Sequence, residues 1–330
     1  MAFLRIGDFS KIPANLRGGV VAIGNFDGVH HGHRAVLDRA LKLAKAKNLP
    51  ALVLTFEPHP RTIFKPDAPV YRLTPAPMKA EMLEALGFDG VVEQTFSREF
   101  SGHLAEDFVR DVLVGGFCVQ DVVTGFDFHF GKGREGGPAF LMEAGSRHGF
   151  GATLVDAVRD EGSDVVSSSR IREALAAGDM HQAANLLGYR FRVTSEVVHG
   201  KKLGRTLGYP TANMSLALET ELAHGIYAVR FRRPSGAIHD GVASFGRRPT
   251  VTDNGSPILE TFLFDFDGDL YGEHATVSLF ERLRGEQKFD GLDSLVAQMN
   301  RDSENAKQVL ARALPVSEID AKLNFQPSHG

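Results

Sequence analysis

Three histidines, His30, His31 and His33, fall within four positions of the stretch VVAIGNFDGVHHGH, residues 20 to 33. An apolar, strand-like run leads into a turn carrying Gly24 and Gly28, and the histidines flank Gly32 where a helix begins. The unpaired N–H groups of a first helical turn and its dipole attract phosphate, and Gly32 lets that phosphate approach the chain. His30 and His33 stand three apart and can hold one group between them, whereas His31 falls off that face. Two imidazoles donating to an α-phosphate would stabilise the charge that builds as pyrophosphate is displaced. Two plainer readings compete: histidines beside a turn are often surface residues, and three of them can bind a metal. No residue at a companion spacing completes a metal shell locally.

A second set lies further on. GKKLGRTLGYPTAN, residues 200 to 213, is a glycine-punctuated basic loop in which backbone amides at Gly200 and Gly204, with Lys201, Lys202 or Arg205, could cradle a triphosphate. Thr211 and Asn213 offer two hard oxygens at alternate positions of an extended segment, hence on one side. In ILETFLFDF, Glu260 shares strand parity with Ile258, Phe262, Phe264 and Phe266, so its carboxylate points with a row of core side chains. Burying it unpaired is costly, which leaves a structural partner of a basic group or a base beside a ligand. Competing motifs fail. DFDGDLYG lacks the Gly and Glu of a calcium loop, GFDFHFGKG has P-loop spacing wrong by one, and GNFDG is no dinucleotide fingerprint.

The elements that must position these residues follow from periodicity. VVAIG, ALVLTF, GVVEQTF, VQDVVTGF and ATLVDAV read as strands, most of them too uniformly apolar for a sheet with one wet face. Helical stretches alternate with them; RAVLDRALKLAKA places Val36, Leu37, Ala40, Leu41 and Ala44 on one face. The expected fold is therefore an α/β doubly wound parallel sheet, its ligand crevice at the carboxyl ends of the strands. SSRIREALAAG and DMHQAANLLG are helical, and from about residue 190 five β-like runs separated by Gly, Pro, Asn and Asp predict a small antiparallel β-barrel. A C-terminal helix running to Pro315 closes the pattern, with QPSHG as a loose tail.

The 330 residues suffice for about two domains. A formal charge of -4 with 43% hydrophobic and 24% charged residues disfavours non-specific nucleic-acid binding. One cysteine, Cys118, forms no internal disulfide, MAFLRIGDFSKIP lacks the pattern of a signal peptide, and no apolar run reaches membrane-spanning length. A cytoplasmic enzyme, with neither nucleic acid nor membrane as partner and of open oligomeric state, is the expectation.

His30-His31-Gly32-His33 resembles the HxGH signature of nucleotidyltransferases, and GNFDGVHHGH is similar to the FAD synthetase branch. TFEPHPR (55 to 61), GFDFHFGKG (125 to 133) and SSSRIR (167 to 172) resemble that family's later motifs in the same order. The resemblance implies catalysis by His30 and His33, with Gly24, Phe26, Asp27 and Gly32 in the ATP site and Ser168, Ser169 and Arg170 closing over the triphosphate. The 200 to 213 loop, GIY at 225 to 227, the glutamate before DFDGDLYG, and LRGEQKF resemble riboflavin kinase. That implies Thr211 and Asn213 holding Mg2+ through ATP, Glu260 deprotonating the riboflavin 5′-hydroxyl, and Arg284 near the flavin. The order matches the prokaryotic bifunctional riboflavin kinase/FAD synthetase family, so residues 1–186 are expected to make FAD from FMN and 187–330 to make FMN from riboflavin. Ser244 stands where that family often has Asn and His129 where Arg is common, and neither is given a role. A kinase with an inactive or differently specific transferase half, and a flavin-responsive binder without turnover, are the alternatives.

Overall fold

Short runs of Val, Ile, Leu and Ala form the strands of the first unit in the computed structural model, which describes residues 2–200, 208–247 and 255–326. The chain divides into two units, Met1–Ser168 and Ser169–Gly330. In the first, β1 (Leu4–Ile6), β2 (Val20–Ile23), β3 (Ala51–Glu57), β4 (Gly90–Thr95), β5 (Asp121–Gly125) and β6 (Gly151–Val155) form a sheet in the order β1-β4-β3-β2-β5-β6. Every pairing in it is parallel. The order reverses at β2, which puts the switch-point crevice at the end of β2, where the histidine turn begins.

β2 is buried along its whole length, as a strand with sheet neighbours on both edges and helices on both faces must be. β1 lies outside the expected strands: three residues are too few for an apolar run to show, and it is held at the sheet edge by parallel pairing to β4 and by Arg5 on Glu93 at 2.9 Å. α1 (His31–Lys47) buries Val36, Leu37, Ala40 and Ala44, as expected, while Leu41 is half-buried. α2 (Pro60–Phe64), α3 (Ala76–Leu86) and α5 (Pro138–His148) are α-helical, but α4 (Ala105–Asp107) widens into π-type turns over Phe108–Gly116. Phe108, Val112, Leu113 and Gly116 are buried there, and a Cβ at Gly116 would stand 2.6 Å from the Phe9 ring.

In the second unit, α6 (Ser168–Ala177), which starts on the last residue of the first, is followed by α7 (Met180–Leu187). β7 (Arg192–Val198), β8 (Thr211–Ser215), β9 (Gly225–Arg232), β10 (Ile238–Arg247), β11 (Pro257–Leu263) and β12 (His274–Arg284) close into an antiparallel barrel in the order β10-β11-β8-β7-β12-β9. Alternation fills it: Tyr227, Val229, Phe231, Phe245 and Leu259 are fully buried. α8 (Leu292–Arg312) packs on β9, β10 and β12, with Ala306 and Leu310 against Ala228, Phe264 and Phe280. Past Pro315 the chain restarts as α9 (Glu318–Asn324), because the Ser317 hydroxyl caps it by accepting from Asp320 N–H. That second helix was not expected; its Asp320 is completely buried and accepts from Arg190 at 2.7 Å. Of the QPSHG tail, residues 327 to 330 lie outside the described residues.

One expectation is corrected here. Glu260 does share parity with Ile258 and Phe262, but this is the half-buried face of β11; the barrel interior takes Pro257, Leu259, Thr261 and Leu263. Ile258 and Phe262 share its face but not the core, and the expected parity of Phe264 and Phe266 does not hold, because the strand ends at Leu263 and the chain turns there.

Candidate active sites

The first site grows out of the turn after β2. Gly24 N–H continues the sheet by donating to Leu54 O, and the chain then passes through left-handed backbone at Phe26 (φ 48°), Gly28 (φ 98°) and Val29 (φ 40°). Two of these are bulky residues, each costing about 1–3 kcal/mol unless the surroundings impose the conformation. They do: Phe26 and Val29 are buried, Gly28 N–H donates to Thr74 Oγ1 at 2.8 Å, and Thr74 N–H donates to the buried Asp27 carboxylate at 3.1 Å.

The turn delivers His30 as the residue capping α1. Its Nδ1 accepts from His33 N–H at 3.3 Å, which leaves the proton on Nε2, the atom pointing outward from that bond. The two rings stack at 3.6 Å with 18° between their planes, and Phe26 meets His33 edge-on at 5.4 Å. The expected pairing of these imidazoles therefore exists, though through a cap and a stack rather than two positions on one helix face. A Cβ at Gly32 would lie 3.1 Å from His30 and 3.3 Å from Val166 O, so glycine permits this approach. Burial, then the nearby charges of His30 and Lys79, hold His33 well below the usual imidazole range, and its Nδ1 is buried without a partner among the described residues. His31 projects outward, lowered by burial and by Arg34. Ser168, the last residue of the first unit, donates from its Oγ to Asp27 O at 2.8 Å. Ser169 and Arg170 follow within the second unit. A Cβ on Gly24 would stand 3.0 Å from the Phe26 ring.

Beneath the turn lies a charged cluster that sequence reasoning missed. Arg72 grips Glu57 with two bonds of 2.7 and 2.8 Å and reaches Asp27 at 3.4 Å. Lys79, 1% exposed, donates to Asn25 O, Thr55 Oγ1 and Glu57 Oε1, each at 2.9 Å. Burial alone would raise the Glu57 carboxyl, but Arg72 and Lys79 together bring it down to about 2. Burial lowers Lys79 against the pull of Glu57. The available signal was a lysine on the apolar face of MKAEMLEAL, between buried Met78 and Ala80.

The second site is set by strand register. Glu260 on β11 pairs with Asn213 on β8 and with Ser244 on β10, so the three side chains form one row across the barrel. Asn213 Nδ2 donates to Thr211 O at 3.0 Å and approaches Thr211 Oγ1 at 3.4 Å. A Cβ on Gly200 would fall 2.5 Å from that amide, so only glycine lets the chain pass this close to Asn213. These residues line a cavity of about 1150 Å3 together with Phe262 and Arg284. Arg284 is fixed by Asp302 at 2.6 and 3.0 Å, Asp302 accepts in turn from Gln298, and the guanidinium lies 5.9 Å from the Phe289 ring. Tyr209 packs against Phe262 with ring centres 4.7 Å apart and planes tilted by 59°, and donates to Asn300 on α8. Lys201, Gly204 and Arg205 lie outside the described residues. In the first unit, His129 Nδ1 meets Asp127 O at 2.8 Å.

The first site is a helix start carrying two coupled imidazoles, suited to an anion that gains charge. The second sets a carboxylate beside an amide and a hydroxyl in an open cavity, suited to deprotonating an alcohol. Known proteins agree with that division. The family model described as FAD synthetase matches residues 12–170, and that described as riboflavin kinase matches residues 187–310. A protein of Escherichia coli (strain K12) named bifunctional riboflavin kinase/FMN adenylyltransferase is 40% identical over 310 residues, covering 94% of this chain and 98% of its own. Its namesake from Haemophilus influenzae is 42% identical over 295 residues, covering 88% and 94%. A crystal structure described as a macrolide-efflux protein from Streptococcus pneumoniae shares the fold with a TM-score of 0.81 at 29% identity, covering 95% of this chain and all of that one.

Proposed function

The chain belongs to the family of bifunctional riboflavin kinase/FMN adenylyltransferases, and from that premise we propose which residues carry each of its two reactions. It phosphorylates riboflavin to FMN with ATP and adenylylates FMN to FAD with release of pyrophosphate. Residues 187–330 do the first and 1–186 the second, a boundary supported by the start of the kinase match at 187.

In adenylyl transfer an FMN phosphate oxygen attacks the α-phosphorus of ATP, and the bond to the bridging oxygen breaks as pyrophosphate leaves. The nucleophile is already an anion and needs no base. His30 donates Nε2–H to the phosphate, its tautomer fixed by the bond that Nδ1 accepts from His33 N–H. His33, held neutral, adds a second donor without adding repulsion to the neighbouring imidazole. At the ATP site Gly24 makes room for the Phe26 ring and Gly32 for the His30 ring, Phe26 and Asp27 hold the turn, and Ser168, Ser169 and Arg170 close over the phosphates.

In the kinase step Glu260 accepts the proton of the ribityl 5′-hydroxyl as its oxygen attacks the γ-phosphorus and ADP leaves. Thr211 and Asn213 present hard oxygens at alternate positions of β8 on the cavity wall beside Gly200, which fits a magnesium ion arriving on ATP. Bound there, Mg2+ would neutralise phosphate charge during the transfer. Gly200, Lys201, Gly204 and Arg205 cradle the ATP phosphates, and Arg284, anchored by Asp302, orients the flavin. The observation that carries this reading is the pairing of Glu260 with Asn213 across neighbouring strands.

No helix among the described residues is long and apolar enough to cross a membrane, and cytoplasmic action is proposed from the use of ATP and the single cysteine. Incubation with riboflavin and MgATP, resolving products over time, should show FMN rising first and FAD following. Absence of FAD when FMN itself is supplied would reject the assignment to the first unit.

A further inference from the structure

We propose that Lys79 is a positioning residue for adenylyl transfer, setting the Asn25–Gly28 turn, and through it the stacked His30 and His33, by its three hydrogen bonds. The inference rests on the reading of the first unit as the adenylyltransferase.

The geometry requires something of this kind. Lysine is almost never fully buried without pairing, and here all three ammonium protons are spent on Asn25 O, Thr55 Oγ1 and Glu57 Oε1. One of those acceptors, Asn25 O, belongs to the signature turn itself, and it accepts also from Thr55 Oγ1 at 3.1 Å. The other end of the cluster grips the same turn, because Arg72 joins Glu57 to Asp27. Lys79 thus ties β3, α3 and the turn together at the base of a segment whose Phe26 and Val29 hold unfavourable backbone angles. A salt bridge meant only for stability is replaceable by well-packed apolar residues at little loss, so a buried lysine spent on turn backbone points to placement of what the turn carries.

The charge matters as well as the bonds. The titratable and charged groups set around His33 are His30 on its own turn and Lys79 on α3, with Glu57, Arg72 and Asp27 arranged about Lys79. Lys79 is positive and disfavours a second positive charge on His33, so it helps keep that ring a neutral donor. Removing the charge lets His33 protonate at higher pH.

The test compares Lys79→Met and Thr55→Val with the parent full-length chain, assaying FMN to FAD and riboflavin to FMN separately. The parent must form FAD from FMN and MgATP; if it does not, the underlying reading fails, independently of Lys79. Lys79→Met is expected to lower adenylylation kcat about 100-fold, the scale of a small misplacement of reacting groups, while riboflavin phosphorylation is unchanged. The acid limb of its adenylylation pH profile moves to higher pH. Thr55→Val keeps the charge and removes two bonds to the same support, the one Thr55 accepts from Lys79 and the one it donates to Asn25 O, and is expected to lower kcat several-fold without moving that limb. Adenylylation by Lys79→Met within threefold of the parent, or an acid limb that stays in place, overturns the proposal. If Lys79→Met does not fold, Thr55→Val decides: an unchanged kcat overturns it, and a selective fall supports it.

Discussion

The two sites are built by opposite means. The first candidate site draws on fourteen consecutive residues that include β2, over a charge cluster in which Lys79 is buried and Glu57 and Arg72 are half-buried. The second assembles Thr211, Asn213, Ser244, Glu260 and Arg284 from four strands, each placed by backbone pairing around an open cavity. Precision in the first comes from packing and charge against a strained turn, and in the second from the period of the β-strand. Damage should therefore spread differently: through side-chain networks in one, and through register and space in the other.

The sharpest break of that comparison is chemical. Glu260→Gln should lower FMN formation by about 1000-fold, the middle of the range for loss of a general base, and leave FMN-to-FAD conversion intact. Separated product assays check it, and a parallel loss of both activities would sink the two-site picture. His30→Ala should do the reverse, costing adenylylation about 100-fold, as for loss of one preorganised donor, with phosphorylation preserved. Next comes the charge cluster. Glu57 titrates at about 2 in the folded chain against 4.5 when free, so it contributes stability that is present above pH 4.5 and lost as pH falls toward 2. The full contribution is about 3 kcal/mol. Glu57→Gln should remove that part of the acid dependence, read as the urea midpoint of the first unit between pH 3 and 6, while leaving Lys79 and Arg72 short of a partner.

Space in the second site predicts a smaller effect. Gly200→Ala puts a methyl 2.5 Å from the Asn213 amide and should raise the kinase KM for ATP about tenfold, worth 1.4 kcal/mol, with adenylylation untouched. Smallest of all, Arg5→Ala breaks the pair with Glu93, whose arginine is 44% exposed, and should change stability by less than about 1 kcal/mol in a melting experiment.

Legibility in the sequence followed the same divide. The parallel sheet, the barrel and the histidine turn were readable because each announces itself over contiguous residues, through apolar runs, glycine placement and helix starts. β1 was not, since three residues carry no periodicity, nor was α9, hidden behind Pro315 although Ser317 supplies its cap. Parity placed Glu260, Ile258 and Phe262 on one face but could not say which side of β11 was the interior. That depends on the pairing of distant strands. The cluster under the turn was missed for a related reason: Glu57, Arg72 and Lys79 are separated by up to 22 positions and look individually like ordinary charges, and only Lys79, set among buried Met78, Ala80 and Met82, broke the pattern of its helix.

The register of β8 against β11 carries a consequence for how this half of the protein can vary. Hairpin ends tolerate added residues, since lengthening them leaves every rung of the ladder where it was. A single residue inserted within Thr211–Ser215 or Pro257–Leu263 would turn the following side chains over, sending Asn213 or Glu260 to the interior and a leucine or methionine into the cavity. Length changes among descendants of this chain should accordingly collect at the loops, leaving those two segments at fixed length.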